Sequence, residues 1–289
     1  MNTSVRVRLM TRSDLDFADS LRAAAGWNQT RADWERFLAT EPAGCFLAEC
    51  DGQPAGTATT TVYSDELAWI GMMLVHPDCR RRGVGQALLE RCLHSLRDRR
   101  IRCIKLDATP LGQPLYEKSG FRAEWSLARW EGTTPRGPSA PRAEGVVLRP
   151  WSASDFNALI ALDEEAFGVS RWRVLWSLSQ ASHRALVHQS PRGEITGFGM
   201  IRAGSRAAYL GPVVANSLAA ATALVSALLA EAPTARVFWD VPDQNKGAVA
   251  LAQQLGFGLQ RPLVRMFVGE NSRPGDPQKQ FALAGPEVG

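Results

Sequence analysis

The chain repeats itself in order, and that repeat limits its fold more than any single motif does. The alternating strand Val5-Arg-Val-Arg-Leu-Met10 leads into Ser13-Asp14-Leu15, which opens a helix; Val146-Val-Leu-Arg149 leads into Ser154-Asp155-Phe156 in the same way. Gly56, in a strand after the Asp51-Gly52 turn, matches Gly197. Gly71 in Trp69-Ile-Gly-Met-Met73 matches Gly211 in Tyr209-Leu-Gly-Pro-Val213, and Gly120-Phe121 matches Gly256-Phe257. Partners keep nearly constant spacing, with gaps where loops fall, which indicates duplication of one unit. Between the copies, residues 131–144 are rich in Pro, Gly and Ser and read as a linker. A chain of 289 residues is also long for one core. The expected organisation is a domain over 1–130, the linker, a second domain over 145–268, and a Pro/Gly-rich tail over 269–289 with no assigned role.

Each copy reads as strand, helix pair, three strands, helix, strand, helix, strand. The Thr/Val/Ile-rich runs near 54–63 and 66–75 form an antiparallel hairpin pattern. Residues 87–98 carry a helical apolar stripe, and 101–107 read as a buried strand. This order predicts an α/β (α+β) fold, a mixed, largely antiparallel sheet flanked by helices.

In the first copy the strand ending at Val75 runs through Pro77 into Arg80-Arg-Arg-Gly-Val-Gly85 and then a helix. A strand that feeds a glycine loop and a helix start is an anion cradle, because free backbone N–H groups and the helix dipole point at one spot. No Lys-Ser or Lys-Thr follows the glycines, as a P-loop requires, and the third glycine of the dinucleotide fingerprint is missing. The Arg-x-x-Gly-x-Gly loop after a Val-x-Pro turn, with Leu115-Tyr-Glu-Lys-Ser-Gly-Phe121 further on, resembles the GCN5-related N-acetyltransferase (GNAT) superfamily. The resemblance covers nearly the whole chain to about Val268 and is that of a tandem protein with an intact first copy and a degenerate second.

The resemblance implies acetyl-CoA as co-substrate, held mainly by the main chain of Arg80, Arg81, Arg82, Gly83, Val84, Gly85 and Gln86. It implies that the backbone of Met73, Leu74 and Val75 contacts the thioester and pantetheine arm, and that Tyr116 protonates the leaving thiolate. A phenol with a pKa near 10 suits that donation. Thr109 stands where such enzymes often carry an Asn on the cofactor. At the spacing of the repeat, Arg80, Gly83 and Gly85 fall opposite Ala220, Ala223 and Val225, and Tyr116 opposite Ala252. One acetyl-CoA per chain, in the first copy, is therefore expected.

The base is less constrained. Asp107 ends a strand where several such enzymes place an acidic residue, yet Asp240 holds the like place in the second copy, so both carboxylates also read as helix caps. Acceptor binding is expected from Trp27 and Asn28, ahead of the Thr30-x-x-Asp33 capping pair, and from Asp240, with Trp172, Trp176 and Trp239 as further aromatic candidates. Trp34 reads as core and His76 as a turn residue.

The leading reading is N-acetylation of a small-molecule primary amine by direct attack in a ternary complex. Peptide or protein N-termini, or a non-catalytic acyl-CoA sensor, are the alternatives. A net charge of +4 is well short of a nucleic-acid footprint. The five cysteines include no Cys-x-x-Cys pair, which suggests neither a metal site nor a disulfide framework. No signal segment or long apolar run points to a membrane, so a cytoplasmic monomer or homodimer is expected.

Overall fold

A computed structural model describes residues 4–134 and 147–289. The first half runs β1 (Val5–Leu9), α1 (Leu15–Ala24), α2 (Arg31–Thr40), β2 (Cys45–Cys50), β3 (Gln53–Val62), β4 (Leu67–Val75), α3 (Val84–Asp98), β5 (Cys103–Ala108), α4 (Gln113–Lys118) and β6 (Arg122–Thr133). The second runs β7 (Val147–Pro150), α5 (Phe156–Phe167), α6 (Trp172–Ala181), β8 (Ser182–Gln189), β9 (Ile195–Arg202), β10 (Ala208–Ala215), α7 (Leu218–Ala230), β11 (Arg236–Pro242), α8 (Lys246–Gln254) and β12 (Gly258–Gly269). A last short strand, β13 (Gln280–Ala282), follows. The element order of the two halves is the same, and each is a mixed sheet flanked by helices, as the repeat predicts.

The chain forms two compact units. Unit 1 is residues up to Arg122 with Met266–Ser272 and Val288; unit 2 is Ala123–Arg265 with Arg273–Glu287 and Gly289. This differs from a boundary at residue 130, and the reason is hydrogen bonding. β6 pairs antiparallel with β11 from Leu127↔Pro242 to Thr133↔Arg236 and so groups with unit 2. The linker expected from residue 131 also starts too early, since Glu131, Gly132 and Thr133 complete β6. Residues 135–144 of that linker, and Val146 of the expected strand, lie outside the described residues.

In unit 1, β1 to β4 are antiparallel neighbours in chain order, and β5 joins β4 in parallel. In unit 2, β7 to β10 repeat that order and β11 joins β10 in parallel. The matched residues recur for physical reasons. Arg8 clamps Asp14 with two 2.8 Å hydrogen bonds, and Arg149 clamps Asp155 with two of 2.7 Å. Each carboxylate also closes a capping box, with Thr11 and with Ser152. A Cβ on Gly56 would lie 3.0 Å from Leu88 Cδ1 of α3, and one on Gly197 3.1 Å from Leu224 Cδ1 of α7. Glycine there lets the long helix settle onto the sheet. Leu88, Leu89, Leu224 and Leu228 are all fully buried as a result, each contributing about 1.5–3 kcal/mol. Among the described residues, no helix is long and apolar enough to cross a membrane.

Candidate active site

The β4–β5 ladder of unit 1 is short. Leu67, Ala68 and Trp69 pair with Cys103, Ile104 and Lys105, and there the pairing stops while β4 continues to Val75. The two strands therefore part, leaving Met73, Leu74 and Val75 along a cleft rather than in a ladder with β5. On its other edge β4 bulges against β3, with the register shifting between Thr57↔Leu74 and Thr59↔Gly71. Met72, inside the bulge, takes a left-handed φ of 49°, which costs a non-glycine residue about 1–2 kcal/mol. Thr57 Oγ1 donates a buried 3.0 Å hydrogen bond to Met72 O and holds the bulge. Thr57 escapes sequence reasoning because the run Thr57-Ala-Thr-Thr-Thr61 reads only as strand propensity.

Past Val75, residues 76–83 wrap to the start of α3. Asp78 N–H donates to His76 Nδ1 at 3.4 Å, so His76 is a turn residue, as expected. Arg81 and Gly83 are left-handed (φ 58° and 83°), and Gly83 is the N-cap of α3, with no side-chain capping bond. Gly83 O accepts from Ala87 N–H at 2.9 Å. The amides of Val84, Gly85 and Gln86 thus precede the first intrahelical bond and face the positive end of the dipole. Arg80, Arg81 and Arg82 are exposed around this spot. Arg82 is paired with Asp51, and the Gln86 side chain donates to Glu90 at 2.7 Å, leaving the Gln86 contribution to its backbone. The need for glycine by φ lies at Gly83. Gly85 has ordinary helical geometry, and a Cβ there would meet Leu115 Cδ2 and Val75 Cγ2 at ordinary 3.5 and 3.6 Å. Uncapped amides ringed by guanidinium groups fit a phosphate-bearing ligand.

The other face of the cleft carries Tyr116. It lies on α4, is 9% exposed, packs edge-on against Phe121 and places its hydroxyl 3.5 Å from Met73 Sδ. Burial, with the Cys92 thiol adding to it, pushes the phenol well above its ordinary pKa of 10, so Tyr116 stays protonated. α4 and β4 thus bring two predicted residues together, an acid and a cleft strand. Asp107 sits half-buried near the end of β5. The helix-cap reading does not hold for either aspartate: Gly112 holds the N-cap position of α4 without a side-chain bond, and Asn245 caps α8. Thr109 turns the chain into α4, its Oγ1 and carbonyl both accepting from Gly112 N–H at 3.3 and 2.9 Å. That local bond uses the Thr109 hydroxyl, which is expected on the cofactor, as an acceptor only.

Between α1 and α2, Gly26 (φ 68°) turns the chain, and Arg22 Nη1 donates to Trp27 O at 3.1 Å. Trp27 is half-buried and Asn28 is 5% exposed. The Thr30–Asp33 capping box forms, and Trp34 is fully buried as expected. Trp34 Nε1 and Thr59 Oγ1 are buried with no hydrogen-bond partner among the described residues. Asp240 corrects an expectation. It is fully buried in unit 2, bound by Arg129 Nε and Nη2 at 2.7 and 2.6 Å and by Tyr209 OH at 2.9 Å. Burial works against its charge, but Arg129 outweighs it and holds the carboxyl below its ordinary range. No part of Asp240 is left for an acceptor. Trp239 is likewise fully buried, whereas Trp172 and Trp176 on α6 are 47% and 45% exposed.

The matching region of unit 2 is built differently. Registering α7 on α3 through the Gly197–Leu224 and Gly56–Leu88 contacts puts Ala220 opposite Val84 and Val225 opposite Leu89. On that register Gly83 falls opposite Ala219 and Gly85 opposite Ala221, not opposite Ala223 and Val225. The connection from β10 to α7 is only residues 216 and 217, and Ser217 Oγ accepts from Ala220 N–H at 3.2 Å, capping the helix internally. The β10 bulge contains Gly211 and Pro212, and Pro212 has no N–H. Ala252 does stand where Tyr116 stands: Phe121 N–H bonds to Tyr116 O at 3.0 Å, and Phe257 N–H to Ala252 O at 2.9 Å.

The model of the acetyltransferase (GNAT) family matches residues 15–121, and that of an acetyltransferase (GNAT) domain matches 159–282. The chain is 26% identical over 269 residues to holothin acyltransferase of a Pseudoalteromonas species, covering 92% of this chain and 88% of that one. It is 37% identical over 84 residues to mycothiol acetyltransferase of Thermomonospora curvata, covering 28% of each. A Pyrococcus horikoshii protein assigned as an acetyltransferase superposes with a TM-score of 0.82 at 27% identity, over 99% of this chain and 96% of that one. A tandem GNAT protein from the clavulanic acid pathway shares the fold at a TM-score of 0.70 and 15% identity, over 92% and 98%.

Proposed function

The chain belongs to the GNAT acetyltransferase family as a tandem protein, and from that premise we propose that unit 1 transfers an acetyl group from acetyl-CoA to a small-molecule primary amine. The observation that carries this reading is one juxtaposition in unit 1. An uncapped helix start behind Gly83, a stretch of β4 that has left β5 and the Tyr116 hydroxyl on Met73 all border one cleft. Similarity along most of the chain to an acyltransferase named for one acceptor, holothin, supports a dedicated acceptor.

When bound, acetyl-CoA supplies a thioester carbonyl activated for acyl transfer. The amides of Val84, Gly85 and Gln86, with Arg80 and Arg81, hold its phosphates. The bulge at Met72 and Met73 aims main-chain groups into the cleft, where they polarise the carbonyl. Asp107 takes the proton that an alkyl ammonium of pKa near 10 must lose before it attacks. The amine nitrogen then bonds to the acetyl carbon as the C–S bond breaks, and Tyr116 gives its proton to the departing sulfur. Burial keeps the Tyr116 phenol protonated and so available to donate, while making it a weaker acid than a free phenol. Trp27 and Asn28 line the acceptor side. The reading uses no metal, nucleic acid or membrane, and takes the chain as a cytoplasmic monomer or homodimer.

The test is to incubate the full-length protein with acetyl-CoA and a panel of amines, following free thiol and the mass of each amine. Acetylated product from one amine class is expected. Thiol release that no amine accelerates overturns the reading.

A further inference from the structure

We propose that the cleft between β10 and β11 in unit 2 is a strand-binding site whose ligand is the chain's own residues 280–284. This goes beyond the reading of unit 1, because it states what occupies the matching place in the second copy. β10 and β11 pair at Ala208↔Val237, Tyr209↔Phe238 and Leu210↔Trp239 and then part, as β4 and β5 do. In unit 1 the parted strands leave a cleft. In unit 2, β13 pairs antiparallel with β10 at Val213↔Ala282 and Val214↔Gln280.

β13 is also fastened on its β11 side. Leu283 N–H donates to Asp240 O at 2.9 Å, and Trp239 Nε1 to Phe281 O at 2.7 Å. Asn245 Nδ2 donates to Gln278 O and Gln280 O at 2.9 and 3.0 Å, while Gln280 Nε2 donates to Ala166 O at 2.8 Å. Tyr209 OH reaches Leu283 O at 3.3 Å, and Arg202 Nη2 donates to Ala284 O at 2.7 Å. Nearly all of these bonds are made to the backbone of the segment, so the site recognises an extended polypeptide. The side chains fill space: Phe281 and Ala282 join the main core of unit 2, and Leu283 packs with Trp125, Leu127 and Leu263. Gln280, Phe281, Ala282, Leu283 and Ala284 are each at most 4% exposed.

Gly211 shows how close the fit is. A Cβ there would lie 2.0 Å from Leu283 O. The β10 bulge is therefore shaped for a chain running against it, and Pro212 gives up an N–H in the same bulge. The segment leaves unit 2 no cleft for an acyl-CoA arm, so the second copy is closed by its own tail as well as by its shortened loop.

Hydrogen exchange on the full-length protein, read by mass spectrometry, tests the site without any ligand. Peptides over 280–284 should exchange as slowly as those over β10; exchange at the rate of a free chain overturns the proposal. Leu283→Pro in the full chain removes the donor to Asp240 O. It should speed exchange over 280–284 by at least about tenfold and also expose β10. Unchanged exchange in that variant contradicts the proposal, and if the variant does not fold the wild-type exchange decides alone. Neither readout involves acyl transfer, so a failed amine screen and a failed tail are separate results.

Discussion

Unit 1 and unit 2 share everything that makes the fold and differ at what makes a cofactor site. Both keep the Arg–Asp clamp on a capping box, the glycine beneath the long helix and the positive-φ glycine after the short one (Gly120, φ 90°; Gly256, φ 78°). The differences gather at one edge of each sheet. Residues 76–83 shrink to 216–217, the bare Gly83 helix start becomes one capped by Ser217, Tyr116 becomes Ala252, and the open cleft takes in β13. The lesson is that sheet and helix packing survive without ligand chemistry, whereas a parted pair of strands does not stay empty. Its backbone groups and apolar walls need a partner, either a ligand or more chain.

The comparison breaks most visibly at the two aspartates. Asp240→Asn leaves Arg129 buried without its countercharge and should cost unit 2 about 3–5 kcal/mol, seen as a lower denaturation midpoint. Asp107→Asn should slow turnover and lower the midpoint less than Asp240→Asn does, since Asp107 is half-buried where Asp240 is fully buried. Equal stability losses in both variants would mean the two positions do one job. Next in size, Tyr116→Phe should lower kcat about 100-fold with acetyl-CoA affinity unchanged, because the ring and its packing on Phe121 remain. An unaltered kcat removes Tyr116 from the mechanism.

A smaller effect tests what the copies share. Arg8 holds the Asp14 carboxyl at about 2, below its ordinary 3.8. A carboxyl depressed in the folded state stabilises above its unfolded pKa and loses that contribution as pH falls through the folded one. Asp14→Asn should therefore cost about 2 kcal/mol near neutral pH, with the difference from wild type shrinking between about pH 4 and pH 2. Asp155→Asn should behave alike, since Arg149 also depresses Asp155. The smallest effect is expected at Thr57→Val, which removes the bond to Met72 O and should cost about 1 kcal/mol and raise the KM for acetyl-CoA. Thr57→Ser should restore both, and a serine variant no better than valine would show that the hydroxyl is not what holds the bulge.

Much of this was legible in the sequence because it rests on local rules. Capping boxes, strand alternation, the Gly-Phe turn and the loop with its arginines announce themselves within a few residues of one another. What escaped depends on partners far along the chain. Asp240 reads locally as a cap or an acceptor residue, but Arg129, from a strand of the first half, binds it. Constant spacing puts Val225 opposite Gly85 because it hides a deletion, and only the glycine–leucine contact sets the helix register. The tail looked like a Pro/Gly-rich appendage, since three residues of strand carry no periodicity and their partners lie on β10.

Titration calorimetry of acetyl-CoA, or of CoA itself, into the full-length protein measures the asymmetry most directly. One site per chain is predicted, weakened by Gly83→Val, because a β-branched residue resists the φ of 83° that opens α3. Two sites of similar affinity, or one site indifferent to Gly83, would contradict the account.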